Sequence, residues 1–206
     1  MSLLINDILQ QTSLERLRLS SIDFVEVDEH FFEILSNDRL MPHLHLSIQS
    51  GDSMILKRMK RRHNPEDVNN FIERCRKVRK EITFGADIIA GFPTENEEMF
   101  RNTYNLLNDN QISHLHIFPF SPKKNTPAAR MPQLEKSIIK KRAQDLRHLG
   151  DNLLSLVKKN LSDERKILIE ELHTHHISGY DQNYIKHQIP MIGMSLGEIV
   201  TTQCSF

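Results

Sequence analysis

The chain has 206 residues, with 27 Lys and Arg against 27 Asp and Glu, so its formal charge is zero. Hydrophobic residues make up 38% and charged residues 26%, the balance of a globular chain with a core rather than a disordered one. A uniformly basic nucleic-acid binder is excluded, and the two cysteines, Cys75 and Cys204, are too few for a disulfide scaffold or a thiolate-ligated cluster. The opening MSLLINDILQQ has no basic segment and contains Asp7, so it reads poorly as a secretory leader. No apolar run approaches the roughly 18 residues of a membrane span, and the expectation is a cytoplasmic protein with no membrane partner.

Leu17, Leu19 and Ile22 mark a first strand, and Asp28 and Glu29 open a helix through FFEIL. Residues 43–49, HLHLSIQ, alternate strictly as a second strand that ends at Ser50-Gly51-Asp52. Asn64 and Pro65 supply the N-cap and first position of a helix over 66–80, with Val68, Phe71, Ile72, Cys75 and Val78 at helical spacing. That stripe makes Cys75 a small buried hydrophobe. The run ITFGADIIAGF reads as a strand covered on both faces, followed by a helix from about 96 to 108. SHLHIFPF is a fourth strand, SPKKNTPAARMP a polar loop, and 134–160 a long helix that Gly150 is expected to interrupt. Beyond 165, KILIEEL, NYIKHQIP and GEIVTTQ alternate with period 2 and read as a small antiparallel module, with His173, His175 and His176 in a loop. Four strand–helix units in series predict a parallel sheet with right-handed crossovers. A complete barrel of eight such units takes about 250 residues. The chain is therefore either a small complete sheet or part of a barrel.

In a parallel sheet, ligands sit beyond the carboxyl ends of the strands. That places Gln49, Ser50 and Gly51 at a candidate site, unless they form an ordinary polar turn. Lys57, Arg58, Lys60, Arg61 and Arg62 form a basic cluster suited to phosphate or carboxylate, or else a solvated helix face. Residues 57–80 hold ten Lys and Arg against three acids. Asp87 in an apolar strand needs a partner or a ligand, and Gly91, Pro93 and Glu95 shape the loop after it. His43/His45 and His114/His116 are i,i+2 pairs that each face one side of a strand. No acidic or thiol residue at ligand spacing completes a metal set, so hydrogen-bonded histidines are expected and no metal ligand is assigned.

RLRLSSID, HLHLSIQSGDSMILKRMKRRH, FGADIIAGFPTENEEMF and HLHIFPFSPKKNTPAARMP, in this order over 15–132, resemble the radical S-adenosylmethionine methylthiotransferases that modify tRNA. The similarity is greatest to the branch acting on N6-threonylcarbamoyladenosine beside the anticodon. The resemblance implies an α/β fold: the C-terminal half of a radical barrel over 1–165, then a short, truncated TRAM-like β module over 166–206, where Asn183-Tyr184 is the best match. It implies S-adenosylmethionine and [4Fe–4S] clusters as family cofactors and tRNA as partner. The family's C-x₃-C-x₂-C loop is absent here, so no cluster is expected on this chain alone, and an N-terminal half encoded separately is an expected partner. By resemblance, Ser20 (with Ser21 beside it), Gln49, Ser50, Gly51, Arg61, Asp87 and Gly91 would line the cofactor cleft. Lys57, Arg58, Lys60 and Arg62 would meet RNA, while catalytic residues stay unassigned. The SPKKNTPA loop departs from the family's usual Pro-Arg-Pro-Gly. Three readings follow: the C-terminal segment of a methylthiotransferase, inactive alone; a non-catalytic RNA-binding fragment; and a small metal-dependent hydrolase using the histidine pairs.

Overall fold

The computed structural model describes residues 1–161, 164–190 and 193–203. A helix α1 (Ser2–Gln11) precedes β1 (Leu17–Ile22), α2 (Glu29–Ile34), β2 (Leu40–Gln49), α3 (Ser53–Arg58) and α4 (Pro65–Val78). Then come β3 (Thr83–Ala90), α5 (Glu97–Asp109), β4 (His114–Pro119) and α6 (Lys136–Asn160). The four strands form one parallel sheet in the order β1-β2-β3-β4. A second sheet of β5 (Glu164–Leu172), β6 (His176–Asp181), β7 (Lys186–Pro190) and β8 (Ile199–Gln203) is antiparallel in the order β7-β6-β5-β8. The α/β sheet followed by an antiparallel module is thus as the sequence pattern predicts. No helix among the described residues is long and apolar enough to cross a membrane.

The helices start where their caps dictate. Asp28 accepts from the Phe31 amide, Asn96 from the Met99 amide, and Asn64 forms a reciprocal capping box with Asp67. The sheet turns one face to the helices. Leu44, Leu46 and Ile48 of β2 and Phe84, Ala86, Ile88 and Ala90 of β3 join Phe71, Ile72, Cys75, Leu107, Leu146 and Leu149 in the main core. The alternate residues point to the opposite, concave face, which no helix among the described residues covers.

Two expectations are corrected. Gly150 does not break α6: the helix runs straight through it, and a Cβ there would lie 3.3 Å from the Leu115 side chain, so the glycine lets α6 approach β4 closely. His176 opens β6 rather than sitting in a loop, and its ring stacks on His173 at 4.2 Å. The opening segment is helical, burying Ile5 and Leu9 against the core. Cys204 lies outside the described residues.

The β module closes the amino end of the concave face. Asn183 donates from Nδ2 to the carbonyls of Pro42 (3.2 Å) and Glu81 (2.7 Å), while its own carbonyl accepts from Thr83 Oγ1 at 3.1 Å. Arg18 of β1 donates to the carbonyls of Asp181 and Gln182. The turn itself is held by Asp181, fully buried, whose carboxylate accepts from Arg165, His187 and the amides of Asn183 and Ile185. These donors keep its pKa below the usual carboxylate range against the cost of burial.

Candidate functional site on the concave face of the sheet

The concave face is built by strand alternation. β2 contributes His43, His45, Ser47 and Gln49; β3 contributes Gly85 and Asp87; β4 contributes His114 and His116; β1 contributes Arg18 and Ser20. At its amino end His43 is buried, hydrogen-bonded to Thr83 Oγ1 at 3.0 Å and stacked on Tyr184 at 5.2 Å. Burial pushes its pKa well below that of a free imidazole, aided by the neighbouring His114. His114 itself is lowered to about 4, mainly by burial. Both rings are therefore neutral at physiological pH, and with Tyr184 they form the floor of this end, beside the Arg18 guanidinium that lies over the Tyr184 ring.

One layer up, Asp87 accepts at a single oxygen from two imidazoles: His45 Nε2 at 3.0 Å and His116 Nδ1 at 3.2 Å. That answers how a carboxylate survives in an apolar strand. The sequence pattern left both histidine pairs without an acidic partner because that partner comes from the strand between them.

The carboxyl rim has a distinctive backbone. Ser21, next to last in β1, has φ 53°, Gln49 closing β2 has φ 72°, and Thr94 in the loop after β3 has φ 69°. Left-handed conformations at non-glycine residues cost free energy and gather at functional sites. Arg61 reaches this rim through the end of α3. Lys60 (φ 58°) takes the left-handed position of a Schellman turn, with the Arg61 amide donating to the Leu56 carbonyl. The reversed chain carries the Arg61 guanidinium to 3.5 Å from Ser47 Oγ.

The structure thus brings Ser20, Gln49, Asp87 and Arg61 to one face. It directs others elsewhere. Ser50 is buried, with its hydroxyl 3.3 Å from Thr103 Oγ1. Gly51 lies so close to α5 that a Cβ would sit 2.7 Å from Thr103 Cα. Gly91 (φ 74°) donates its amide to Glu95 and packs on Ile139. These three shape the loops from the helix side. Glu95 in turn pairs with Arg142 at 2.7 Å, both side chains almost fully buried, so this pair clamps α6 to the β3–α5 loop. In the basic cluster, Arg62 is engaged by Asp23 and Glu26, each at 2.6 Å, and Arg58 leans on Met99. Lys57 and Lys60 are exposed beside Arg61.

An iron–sulfur cluster needs several thiolates. The cysteine among the described residues, Cys75, is fully buried on the core side of α4, and burial pushes its thiol up to about 12. It does not fit a cluster ligand.

Residues 3–107 match the profile of the Radical SAM superfamily. The chain is 49% identical over 169 residues to threonylcarbamoyladenosine tRNA methylthiotransferase MtaB of Rickettsia prowazekii, covering 81% of this chain and 40% of that protein. It is 35% identical over 193 residues to the protein of that name from Thermotoga maritima, covering 89% of this chain and 43% of that one. The chain therefore spans less than half the length of these relatives. Among solved structures, a radical SAM methyltransferase from Sphaerobacter thermophilus aligns with a TM-score of 0.43 at 15% identity, covering 68% of this chain and 40% of that one. The profile takes in β1, β2, β3 and the helices between them, whose alternate side chains build the concave face, and on that match the chain belongs to the radical SAM superfamily.

Proposed function

We propose that this chain is the C-terminal segment of a tRNA methylthiotransferase acting on N6-threonylcarbamoyladenosine beside the anticodon, and that it is catalytically incomplete on its own. The observation carrying this reading is the 49% identity to a relative of that name, running across 81% of the chain. In this reading residues 1–165 are the barrel segment and 166–206 the module that holds RNA. S-adenosylmethionine, when bound, supplies the alkyl group and the radical chemistry of the superfamily. The part of the chain's own residues is to bind and orient. The Ser20 hydroxyl and the Gln49 amide at the rim offer hydrogen bonds to a polar nucleoside or amino-acid group, with Arg61 as a fork for a carboxylate and Asp87 deeper in the face. Ser50, Gly51 and Gly91 act by fixing the loops that carry these groups. Exposed Lys57 and Lys60, with Arg58 and Arg62 behind them, supply phosphate contacts to RNA.

The Cys75 environment supports the further claim that cluster chemistry must come from a companion segment bearing C-x₃-C-x₂-C. The test is expression in cells lacking their own enzyme, with and without such a segment, followed by mass spectrometry of tRNA nucleosides. The expected result is methylthiolated threonylcarbamoyladenosine only when both are present. Methylthiolation by the chain alone, or none with any companion that restores activity to a full-length relative, overturns the proposal.

A further inference from the structure

Three groups with metal-binding chemistry meet at the middle of the concave face, one from each of three adjacent strands. His45 on β2, Asp87 on β3 and His116 on β4 each offer a ligating atom, and these atoms all lie within 4.8 Å of one another. We propose that His45, Asp87 and His116 bind one divalent transition-metal ion, of the Zn²⁺ or Co²⁺ class, in a site independent of any iron–sulfur cluster.

The donor set selects the class of ion. Two imidazole nitrogens and one carboxylate oxygen suit zinc and its first-row neighbours, whereas magnesium and calcium take oxygen ligands. The spacing agrees. In a tetrahedral site with bonds of about 2.0–2.2 Å, ligand atoms stand roughly 3.3–3.5 Å apart. Here the two nitrogen–oxygen separations are 3.0 and 3.2 Å, slightly closed because the carboxylate now receives both imidazoles directly. An ion between them needs these two separations to open by only a few tenths of an ångström, and the third, between the two imidazole nitrogens, already lies within 4.8 Å.

The scaffold is rigid and prepared. Asp87 is the direct pairing partner of His116 across the β3–β4 ladder. His45 is paired with Gly85, two residues before Asp87, so its ring must lean diagonally along the face. Gly85 makes that possible: a Cβ there would lie 2.7 Å from His45 Nδ1. The glycine thus clears space for a ligand's ring. Exposure is graded across the site, with His45 11%, Asp87 26% and His116 59% exposed at the side chain. Two groups are anchored in the wall, and the third stands at the open side, where an ion enters and keeps water at its remaining position. The inference does not rest on the tRNA reading, since it uses only the chain's own donors.

The experiment uses the full chain stripped with a chelator, then titrated with Zn²⁺ by calorimetry and with Co²⁺ by visible absorption. One ion per chain is expected at this site, with a nitrogen–oxygen ligand-field spectrum and no thiolate charge-transfer band. His116→Ala and Asp87→Asn should each weaken binding at least about tenfold. A His173→Ala/His176→Ala variant, which removes the stacked pair in the β module, should leave that binding unchanged. If Asp87→Asn fails to fold, His116→Ala at an exposed ring carries the same test, read also by zinc-induced shifts of the His45 and His116 ring resonances. No saturable binding up to about 1 mM, or binding that persists in His116→Ala and disappears without His173 and His176, overturns the proposal.

Discussion

His114 lies where the concave face meets the β module. Its Nε2–H donates to the Tyr184 carbonyl at 3.2 Å, and Nδ1 lies 3.1 Å from Ser113 Oγ, so the neutral ring is satisfied at both nitrogens. Burial holds its folded-state pKa at about 4, while the unfolded chain titrates near 6.5. Between those values the unfolded state binds more protons, so stability rises with pH there and is lost as pH falls from about 6.5 toward 4. His43, depressed by burial in the same direction, adds to the effect. We expect His114→Gln to lower the loss of unfolding free energy between pH 7 and pH 4.5 by about 2 kcal/mol. Urea melts of both proteins at the two pH values check this, and equal pH slopes would refute the assignment.

At the scale of elements, close approach matters more than periodicity. Gly51 joins β2 to α3 at a point where α5 crosses, and its missing side chain sets that distance. Gly51→Ala forces backbone apart rather than a flexible side chain, and we expect a loss of roughly 1–3 kcal/mol. Gly150→Ala is the contrast: its 3.3 Å neighbour is the movable Leu115 side chain, and the gain in helix propensity offsets the crowding, so thermal melting should shift little. The long elements were readable because their patterns are unambiguous. HLHLSIQ announces β2, and Asn64-Pro65 with Val68, Phe71, Ile72 and Cys75 announces α4. Short or mixed segments were not. α3 spans only Ser53–Arg58, too few turns for a period, and β6 carries Gly179 and polar residues between its apolar ones. The His45–Asp87–His116 cluster escaped for another reason. Its members are adjacent only through strand register, which one-dimensional spacing does not contain. Ser20 and Gln49 lie at the strand ends where the pattern put them, yet nothing in the pattern told Ser50 and Gly51 to face α5.

For the molecule as a whole, the two sheets are joined through a small set of polar ties. Asn183 is the centre of them, joined to Pro42, Glu81 and Thr83 on the parallel sheet and to Arg165 within the module. Asn183→Ala removes a donor from the Glu81 carbonyl and one of two from the Pro42 carbonyl, which also accepts from Thr83, and should cost roughly 1–3 kcal/mol. Limited proteolysis should then cut the module ahead of the parallel sheet; a variant digested like the parent would mean that the module is held chiefly by Arg16 and Arg18. The order of the parallel strands in space is also their order in the chain. During synthesis on a ribosome, each new strand therefore finds the edge it needs already present, and no strand waits for one not yet made. The module's antiparallel strands emerge after them, and the Asp181–Tyr184 turn docks on an amino-end rim whose strands have already been made. Assembly runs in one direction, with the second sheet sealing a surface the first has finished.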